Sequence, residues 1–351
     1  MDRVCIAMSG GVDSSVAAAL LKQQGFDVCG VTMKLFENAS DDKCESARSC
    51  CGYDSTRDAK LVANAIGIPH YTVNAIEVFQ SAVVEDFAAE YRCGRTPNPC
   101  VRCNRFVKFD FLMRKAGELG CRFLATGHYA IRREQRLYRG EDPAKDQAYF
   151  LYPIYETDIE RILFPVGEKT KEEIRHIASD LGLVTAHKPE SQDICFVEDG
   201  RYAELLEEGA QLTEGPIVNA HGKVLGHHKG IHRYTVGQRK GLGALGARMF
   251  VKEIRVADNT VVVACENDLC SSTVVAADAI VAPGFRFDSN ADYGVQVRYR
   301  SKPVQAGVSL SDSKTLHITL REPLRAVAPG QSAVVYEGNM VVAGGIIERA
   351  G

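Results

Sequence analysis

Short apolar runs alternate with helical patterns along roughly the first 200 residues of the chain. The apolar runs predict strands at Val4–Met8, Val28–Met33, His70–Val73 and Phe123–Thr126. Helical spacing of apolar residues predicts helices at Val16–Leu21 and over residues 56–66, 76–92 and 105–119. This alternation predicts a doubly wound parallel α/β sheet, in which ligands bind at the carboxyl ends of the strands.

The pattern changes after about residue 205, where helical spacing becomes scarce and glycines and β-branched residues become frequent. Val295–Arg300 and His317–Leu320 alternate as half-buried strands do. We therefore expect an α/β domain over residues 1–204, a small central β-rich domain over 205–272 and a C-terminal β-barrel-like domain over 273–351.

The composition is that of an ordinary globular protein, with 45% apolar and 25% charged residues in 351. No apolar run is long enough to span a membrane, and Met1–Arg3 leads into a strand without a signal-peptide pattern, so we expect a cytoplasmic protein. The twelve cysteines are then expected to be thiols, metal ligands or catalytic groups. The net charge is only −3, but residues 92–108 and 223–252 carry basic residues and no acidic ones, which suits either RNA or a solvated surface.

The loop Ser9–Ser15, with the sequence SGGVDSS, joins the first predicted strand to the first predicted helix. Glycines let the backbone approach phosphate oxygens, and a helix N-terminus favours negative charge, so this order of elements predicts an anion site. The loop has neither the Gly-Lys-Ser/Thr of the mononucleotide P-loop nor the Gly-x-Gly-x-x-Gly of dinucleotide folds. It resembles the PP-loop of ATP pyrophosphatases, which cut ATP between the α and β phosphates.

Two polar, proline-marked loops carry cysteines that are poor candidates for core residues, whereas Cys5, Cys29 and Cys121 lie in or beside predicted strands. Cys100 and Cys103 follow Pro97 and Pro99, and Cys195 follows Pro189. We expect Cys103 near a helix N-terminus and beside Arg102 and Arg105. The helix dipole and the two guanidinium groups both favour the thiolate form of Cys103. A Cys-x-x-Cys pair is also half of a zinc site, although Cys44, Cys50 and Cys51 do not complete a recognised zinc pattern.

Over nearly its whole length the chain resembles the bacterial tRNA-specific 2-thiouridylases of the MnmA/TrmU family, which sulfurate uridine 34 of tRNA. The motifs that carry the resemblance are SGGVDSS, Val31–Met33, Gly94–Asn104, Ala125–Ala130, Lys145–Gln147, Leu163–Pro165, Lys188–Phe196, Tyr234–Gly243 and Ala328–Gln331. SGGVDSS alone indicates only the PP-loop superfamily, whereas the two cysteine loops together are far more specific.

The resemblance implies an AMP- and pyrophosphate-forming tRNA-uridine 2-sulfurtransferase that adenylates the uracil C2 oxygen. It assigns ATP to Ala7, Met8, Ser9, Gly10, Gly11, Val12, Asp13, Ser14, Met33 and Gly127, with Asp13 a candidate Mg²⁺ ligand. Cys195 would carry the sulfur as a persulfide, and Cys103 would be its partner nucleophile, closing the cycle through a transient Cys103–Cys195 disulfide.

The same resemblance implies a set of tRNA contacts and a set of partners. The contacts are Asn98, Pro99 and Cys100 at the target base, and His128, Lys145, Asp146, Gln147, Tyr299, Arg300 and Gln331 elsewhere on the tRNA. The substrates would be tRNAs for Lys, Glu and Gln, and a cysteine desulfurase or a sulfur-relay protein would supply the sulfur. A monomer is the default expectation.

Cys100 departs from the family pattern, because many members have an acidic residue there. Cys100, Cys103 and Cys195 are therefore alternative candidates to ligate a [4Fe–4S] cluster, which would compete with the persulfide route. Two other functions remain open from the residues: a PP-loop ligase that forms amide or C–N bonds, and a metal-holding RNA-binding protein. The first gives no role to Cys103 or Cys195, and the second leaves the nucleotide loop unused.

Overall fold

The computed structural model of the protein describes residues 1–37, 53–189, 194–197, 213–243 and 245–351. They form two compact units. The first contains residues 1–84, 100–200 and 339–341, and the second contains residues 85–99, 201–338 and 342–351. The expected fold class is confirmed, since an α/β unit with a parallel sheet is followed by β-rich structure.

The four strands predicted for the first unit lie close to their predicted positions, and its described residues form three further short strands. They are β1 (Arg3–Ala7), β2 (Asp27–Lys34), β3 (His70–Asn74), β4 (Phe123–Ala125), β5 (Ala130–Arg133), β6 (Arg136–Arg139) and β7 (Ile162–Leu163). The central sheet is parallel and has the order β3-β2-β1-β4-β7. Its strand order reverses between β1 and β4, and a crevice at such a point is where ligands bind in this class of fold.

Helices and short helical turns lie between strands throughout the described chain, and some of them are wider or tighter than an α-helix. The α-helices are α1 (Val12–Gln23), α2 (Tyr53–Ile66), α3 (Ile76–Phe79), α4 (Asp86–Arg92), α5 (Pro99–Arg102), α6 (Leu112–Glu118) and α7 (Lys171–Asp180). Gln80–Glu85 and Cys103–Phe111 are π-helical, and short 3₁₀ turns occupy Ala148–Phe150, Tyr152–Glu156, Ile159–Arg161, Ile231–Arg233 and Glu266–Leu269. α2 and α7 both contact α1, and an apolar cluster that includes Ile6, Val16 and Ile174 lies in the first unit.

The helix predicted over residues 105–119 begins earlier, at Pro99. Proline is tolerated in the first turn of a helix because the N–H it lacks would have no partner within the helix. Cys103 therefore lies near the N-terminus, one turn after the start of the helix, and begins the π-helical segment. Wide π turns are rare and often occur at functional sites.

The described residues of the second unit form two β-sheets. Its strands are β8 (Gly215–Asn219), β9 (Val224–His228), β10 (Phe250–Arg255), β11 (Thr260–Ala264), β12 (Cys270–Val281), β13 (Tyr293–Gln296), β14 (Val304–Leu310), β15 (Leu316–Arg325), β16 (Ser332–Glu337) and β17 (Met340–Ala350). The smaller sheet has the order β10-β11-β8-β9 around a core that includes Val251, Val261 and Val263. The larger runs β12-β15-β14-β13-β16-β17, and because β17 also pairs with β12 it closes into a barrel.

The strand predicted at Val295–Arg300 ends sooner, at Gln296. The Gln296 side-chain amide donates to the backbone oxygens of Arg298 and Tyr299, at 3.1 and 2.7 Å. These bonds hold a turn after the strand, so Tyr299 and Arg300 lie in that turn and not on a sheet face.

The expected boundary between residues 204 and 205 lies outside the described residues, as do Cys44, Cys50, Cys51 and the Glu190–Asp193 part of the second cysteine loop. The domain boundaries therefore stay predictions. Among the helices that the structure describes, none has the length and apolarity to cross a membrane.

Candidate active site

The loop that follows β1 is organised by serine hydroxyls. Ser14 Oγ and Ser15 Oγ both donate to the backbone oxygen of Gly11, at 3.1 and 2.8 Å, and the Ser9 N–H donates to Ser14 Oγ at 3.2 Å. Gly11 is the N-cap of α1 and has no side chain that could cap the first turn. The first-turn N–H groups and the positive end of the helix dipole therefore face the loop, as a phosphate site requires.

Two glycines allow close approaches that a side chain would prevent. Gly10 has a φ of +66°, and a Cβ atom on it would lie 2.2 Å from the backbone oxygen of Ser55. A Cβ atom on Gly127 would lie 2.7 Å from the backbone nitrogen of Ser14. Gly127 follows β4, so the turn after that strand packs directly against the loop after β1.

The other residues predicted to bind the nucleotide lie beside this loop. Met8 is buried, and its N–H donates to the backbone oxygen of Val31 at 2.8 Å. Met33 lies half-buried near the carboxyl end of β2. The structure thus brings the predicted nucleotide residues to the carboxyl ends of β1, β2 and β4.

Asp13 makes contacts that the sequence did not reveal. Lys171 Nζ lies 2.7 and 2.9 Å from the two carboxylate oxygens of Asp13, and the Tyr129 hydroxyl donates to one of them at 2.7 Å. Both oxygens thus accept hydrogen bonds within the first unit, and the role of Asp13 as a Mg²⁺ ligand stays a prediction. The capping box Thr170–Glu173 predicts the start of a helix, but nothing local links Lys171 to Asp13.

His128 is packed inside the first unit, with 8% of its surface exposed. Its Nδ1 lies 2.7 Å from Thr126 Oγ1, its Nε2 lies 3.1 Å from Lys108 Nζ, and its ring contacts Phe109 and Phe164. Burial, and then the Lys108 ammonium, hold the pKa of His128 well below its usual range. The ring is neutral, so Lys108 donates to Nε2 and Nδ1–H donates to Thr126. Its contact with tRNA stays a prediction.

Lys145, Asp146 and Gln147 line the turn before the 3₁₀ segment at Ala148. The Asp146 carboxylate accepts the N–H groups of Gly140 and Ala148, at 3.0 and 3.1 Å, and burial raises its pKa. Gln147 Oε1 accepts the Tyr129 N–H at 2.9 Å. Asp146 therefore links the backbone of Gly140 to that of Ala148, and Gln147 holds the backbone of Tyr129, while Lys145 is half-buried.

The segment that carries Cys103 is held by polar contacts on both sides. Asn104 Nδ2 donates to the Phe150 backbone oxygen at 3.1 Å, and Arg105 makes a two-point ion pair with Glu156, at 2.6 and 2.7 Å. The guanidinium of Arg102 lies 4.7 Å from the centre of the Phe106 ring. Cys103 is half-buried, and Cys100, one helical turn before it, is exposed.

Cys195 lies in a short described turn, Ile194–Val197, and is half-buried. The ring of its neighbour Phe196 meets the ring of Phe79 edge-on, with 5.7 Å between the centres. Phe79 is the last residue of α3, which also contacts the Cys103–Phe111 segment. Both cysteine-bearing segments therefore pack against α3, which follows β3 at the same edge of the sheet as the loop after β1.

Cys5, Cys29 and Cys121 are buried, as predicted, with 3.5 Å between the sulfurs of Cys29 and Cys121. In the part of the chain that the structure describes, no group of three or more His, Cys, Asp or Glu side chains is arranged to hold a metal ion. This includes Cys100, Cys103 and Cys195, and the iron–sulfur alternative stays a prediction.

The remaining predicted residues lie in the second unit. Gln331 Nε2 donates to the backbone oxygens of Thr96 and Pro97, at 2.9 and 3.3 Å, so it supports the segment that leads to Asn98. Asn98 is half-buried, Pro99 is buried, and Arg300 is exposed in the turn after β13. Their contacts with tRNA stay predictions.

The parallel sheet with a glycine loop at its switch point, followed by β-sheet modules, defines a multidomain enzyme built on a nucleotide-binding α/β fold. Three family models match the chain in the same order: a tRNA methyl transferase HUP domain over residues 2–199, a tRNA methyl transferase PRC-barrel domain over 203–265 and an aminomethyltransferase beta-barrel domain over 279–347.

Curated relatives match over almost the whole chain. Proteins named tRNA-specific 2-thiouridylase MnmA from Clostridioides difficile strain 630 and Geobacter metallireducens are 43% and 44% identical; each alignment covers 99% of this chain and 98% or 97% of the relative. The tRNA-specific 2-thiouridylase MnmA 2 of Thermoanaerobacter sp. strain X514 is 43% identical, and the alignment covers 99% of this chain and 98% of that protein. The chain belongs to the MnmA family of tRNA-specific 2-thiouridylases, which are sulfurtransferase enzymes.

Proposed function

We propose that the protein replaces the C2 oxygen of uridine 34 in tRNA with sulfur, after ATP has activated that oxygen. One observation carries the proposal beyond family membership. The segments of Cys103 and Cys195 both contact α3, at the edge of the sheet where the loop after β1 meets Gly127. Nucleotide activation and sulfur chemistry can therefore occur at one edge of a single unit.

The first step activates a poor leaving group. The uracil C2 oxygen attacks the α-phosphorus of ATP, the bond to the β-phosphate bridging oxygen breaks, and pyrophosphate leaves while AMP stays on the base. ATP enters as its Mg²⁺ complex. Backbone N–H groups from Ala7 to Ser14 and the N-terminus of α1 stabilise the phosphate charge.

The second step transfers sulfur from a Cys195 persulfide supplied by a donor protein. The terminal sulfur attacks C2, and AMP leaves with the former C2 oxygen. The Cys103 thiolate then attacks the Cys195 sulfur, which leaves the terminal sulfur on the base and forms a Cys103–Cys195 disulfide. A thiol reductant restores both cysteines.

The target base must leave its stack to reach this site. Asn98, Pro99 and Cys100 stand just before Cys103 in the chain, which supports their assignment to the flipped base. The partners proposed are tRNAs of the Lys, Glu and Gln type and a cysteine desulfurase or sulfur-relay protein.

The deciding experiment is mass spectrometry of tRNA after incubation with ATP, Mg²⁺ and a persulfide-forming donor. We expect the mass increase of an oxygen-to-sulfur exchange at uridine 34, which requires ATP and is lost in Cys195→Ser and Cys103→Ser. Cys93→Ser is the control, because Cys93 is exposed and lies in neither cysteine loop. AMP formation without any mass change in the wild-type protein would contradict the thiolation proposal.

The iron–sulfur alternative makes a different prediction for Cys100. Under the persulfide route, Cys100→Ala keeps most of the activity, because Cys100 carries no sulfur and is only one of three residues assigned to the base. Under a cluster route, it removes a ligand and abolishes activity along with bound iron. Iron and sulfide analysis of protein purified without oxygen, beside the activity of Cys100→Ala, separates the two routes.

A further inference from the structure

The ion pair between Lys171 and Asp13 is unusually enclosed for a lysine. Only 8% of Lys171 is exposed, and its ammonium reaches both oxygens of the Asp13 carboxylate. Removing an ammonium from water is costly, and the attraction within a buried pair often does no more than offset that cost. Fold stability alone is therefore a weak reason for such a pair.

The position of Lys171 is also electrostatically unfavourable. It is the first residue of α7, and Asp13 lies in the first turn of α1. Helix N-termini carry partial positive charge and disfavour nearby cations. The N-terminus of α1 and the Lys171 ammonium thus lie beside the loop after β1, whereas the carboxylates of Asp142 and Glu173 already offset the N-terminus of α7. An anionic ligand at this loop can share the ammonium with Asp13.

Other contacts hold the lysine in this place. The Lys171 N–H donates to Asp142 at 3.0 Å, and the Thr170 capping box sets the start of the helix. The ammonium lies 5.7 Å from the centre of the Tyr129 ring, and the hydroxyl of that ring donates to Asp13. The ammonium is therefore positioned before any ligand arrives.

We propose that Lys171 is the protein cation that binds the β- and γ-phosphates of ATP, and that Asp13 positions Lys171 instead of ligating Mg²⁺. The inference rests on the proposed ATP-dependent function. When ATP binds, the ammonium donates to the phosphate oxygens while Asp13 and Tyr129 hold its direction. In the adenylation step it neutralises the charge that builds on the departing pyrophosphate.

The test measures equilibrium binding of α,β-methylene-ATP, which cannot be cleaved at the reacting bond, by calorimetry with Mg²⁺ or with EDTA. We expect Lys171→Met to weaken this analogue about tenfold to a hundredfold in both buffers, the loss of a charge-assisted hydrogen bond. Lys171→Arg keeps a cation and loses less. Binding of AMP, which lacks both phosphates, stays as in the wild type.

Two further variants make the test specific. Lys169→Met removes a half-buried lysine two residues away, and we expect it to change neither analogue nor AMP binding. Asp13→Asn misdirects the ammonium and weakens analogue binding in both buffers. If Asp13 were a Mg²⁺ ligand, its loss would appear only in the Mg²⁺ buffer, and that result would overturn the proposal.

Two other results would also overturn it: unchanged analogue binding by Lys171→Met, or an equal loss of AMP binding, which would indicate a structural role. The thiolation assay on the wild-type protein separates this inference from the proposed function. Normal thiolation with unchanged binding by Lys171→Met refutes the inference alone. Absent thiolation with the expected binding losses refutes the thiolation proposal and leaves the phosphate role of Lys171 in place.

Discussion

Single residues at the loop after β1 determine how closely other backbone segments approach it. Gly10 and Gly25 both have positive φ, at +66° and +87°, but only Gly10 faces another segment, the backbone of Ser55. These two glycines form a matched pair, because a substitution at either one strains the backbone while only one also creates a collision.

We expect Gly25→Ala to lower the free energy of unfolding by about 1–2 kcal/mol, the cost of a left-handed conformation, and to leave nucleotide binding unchanged. Gly10→Ala adds a collision that costs about 1–3 kcal/mol more, and it displaces the loop from Ser55. Urea unfolding and binding of α,β-methylene-ATP measure both effects. Equal behaviour of the two variants would show that the approach of Ser55 does not shape the loop.

Local patterns predicted the residues of this loop well and the partners of those residues poorly. The strand, the glycine loop and the helix at Val4–Leu21 are neighbours in the chain, so periodicity and turn chemistry suffice to find them. Lys171 reaches Asp13 across a separation of 158 residues, and only the folded sheet brings them together.

At the scale of elements, α3 links the two cysteine segments. Its last residue, Phe79, contacts Phe196 on one side and Phe36, which follows β2, on another, with 5.7 and 5.3 Å between ring centres. The element itself also contacts the segment that begins at Cys103. The position of Cys195 therefore depends on an aromatic contact of its neighbour.

We expect Phe196→Ala to slow thiolation about tenfold or more, because Cys195 loses its anchor, while AMP formation on tRNA continues. Phe26→Ala is the matched control, since Phe26 makes a similar edge-on contact with Phe123, near the opposite ends of the strands. Parallel assays of AMP and 2-thiouridine give both rates. An equal loss of both activities would mean that Phe196 supports the fold and not the position of Cys195.

Element boundaries also show where sequence reasoning stops. The predicted helices over residues 76–92 and 105–119 exist, but each contains π-helical turns that helical periodicity does not reveal. Likewise the alternation at Val295–Arg300 is a strand pattern, yet Gln296 turns the chain through its bonds to Arg298 and Tyr299. Single side-chain hydrogen bonds and the width of helical turns leave the apolar periodicity unchanged, so sequence patterns place the elements and miss their ends.

At the scale of the whole molecule, the basic character is local, since the net charge is only −3. Arg300 is exposed in a turn of the second unit and is one of the residues assigned to tRNA by family resemblance. A basic residue that contacts a phosphate releases counterions, so its effect can be recognised by the salt dependence of binding.

We expect Arg300→Ala to weaken tRNA binding and to reduce the slope of log affinity against log salt by about one. Arg122→Ala is the control, because Arg122 pairs with Asp2 at the amino ends of the strands, away from the edge that carries the loop. Filter binding of unmodified tRNA over a range of salt concentrations supplies the slopes. An unchanged slope for Arg300→Ala would remove this residue from the RNA surface.

The first unit includes a segment from near the end of the chain, and this affects how the protein folds during synthesis. Asn339–Val341 belong to that unit, where the Asn339 backbone oxygen accepts the Arg139 N–H and Val341 accepts the Tyr155 hydroxyl. A ribosome delivers these residues long after the parallel sheet has emerged. Until then the hairpin strand β6 has an unpaired edge, and such an edge invites association with other nascent chains. A fragment cut after the sheet would keep that edge permanently, so the nucleotide unit should be expressed together with its late-made strand.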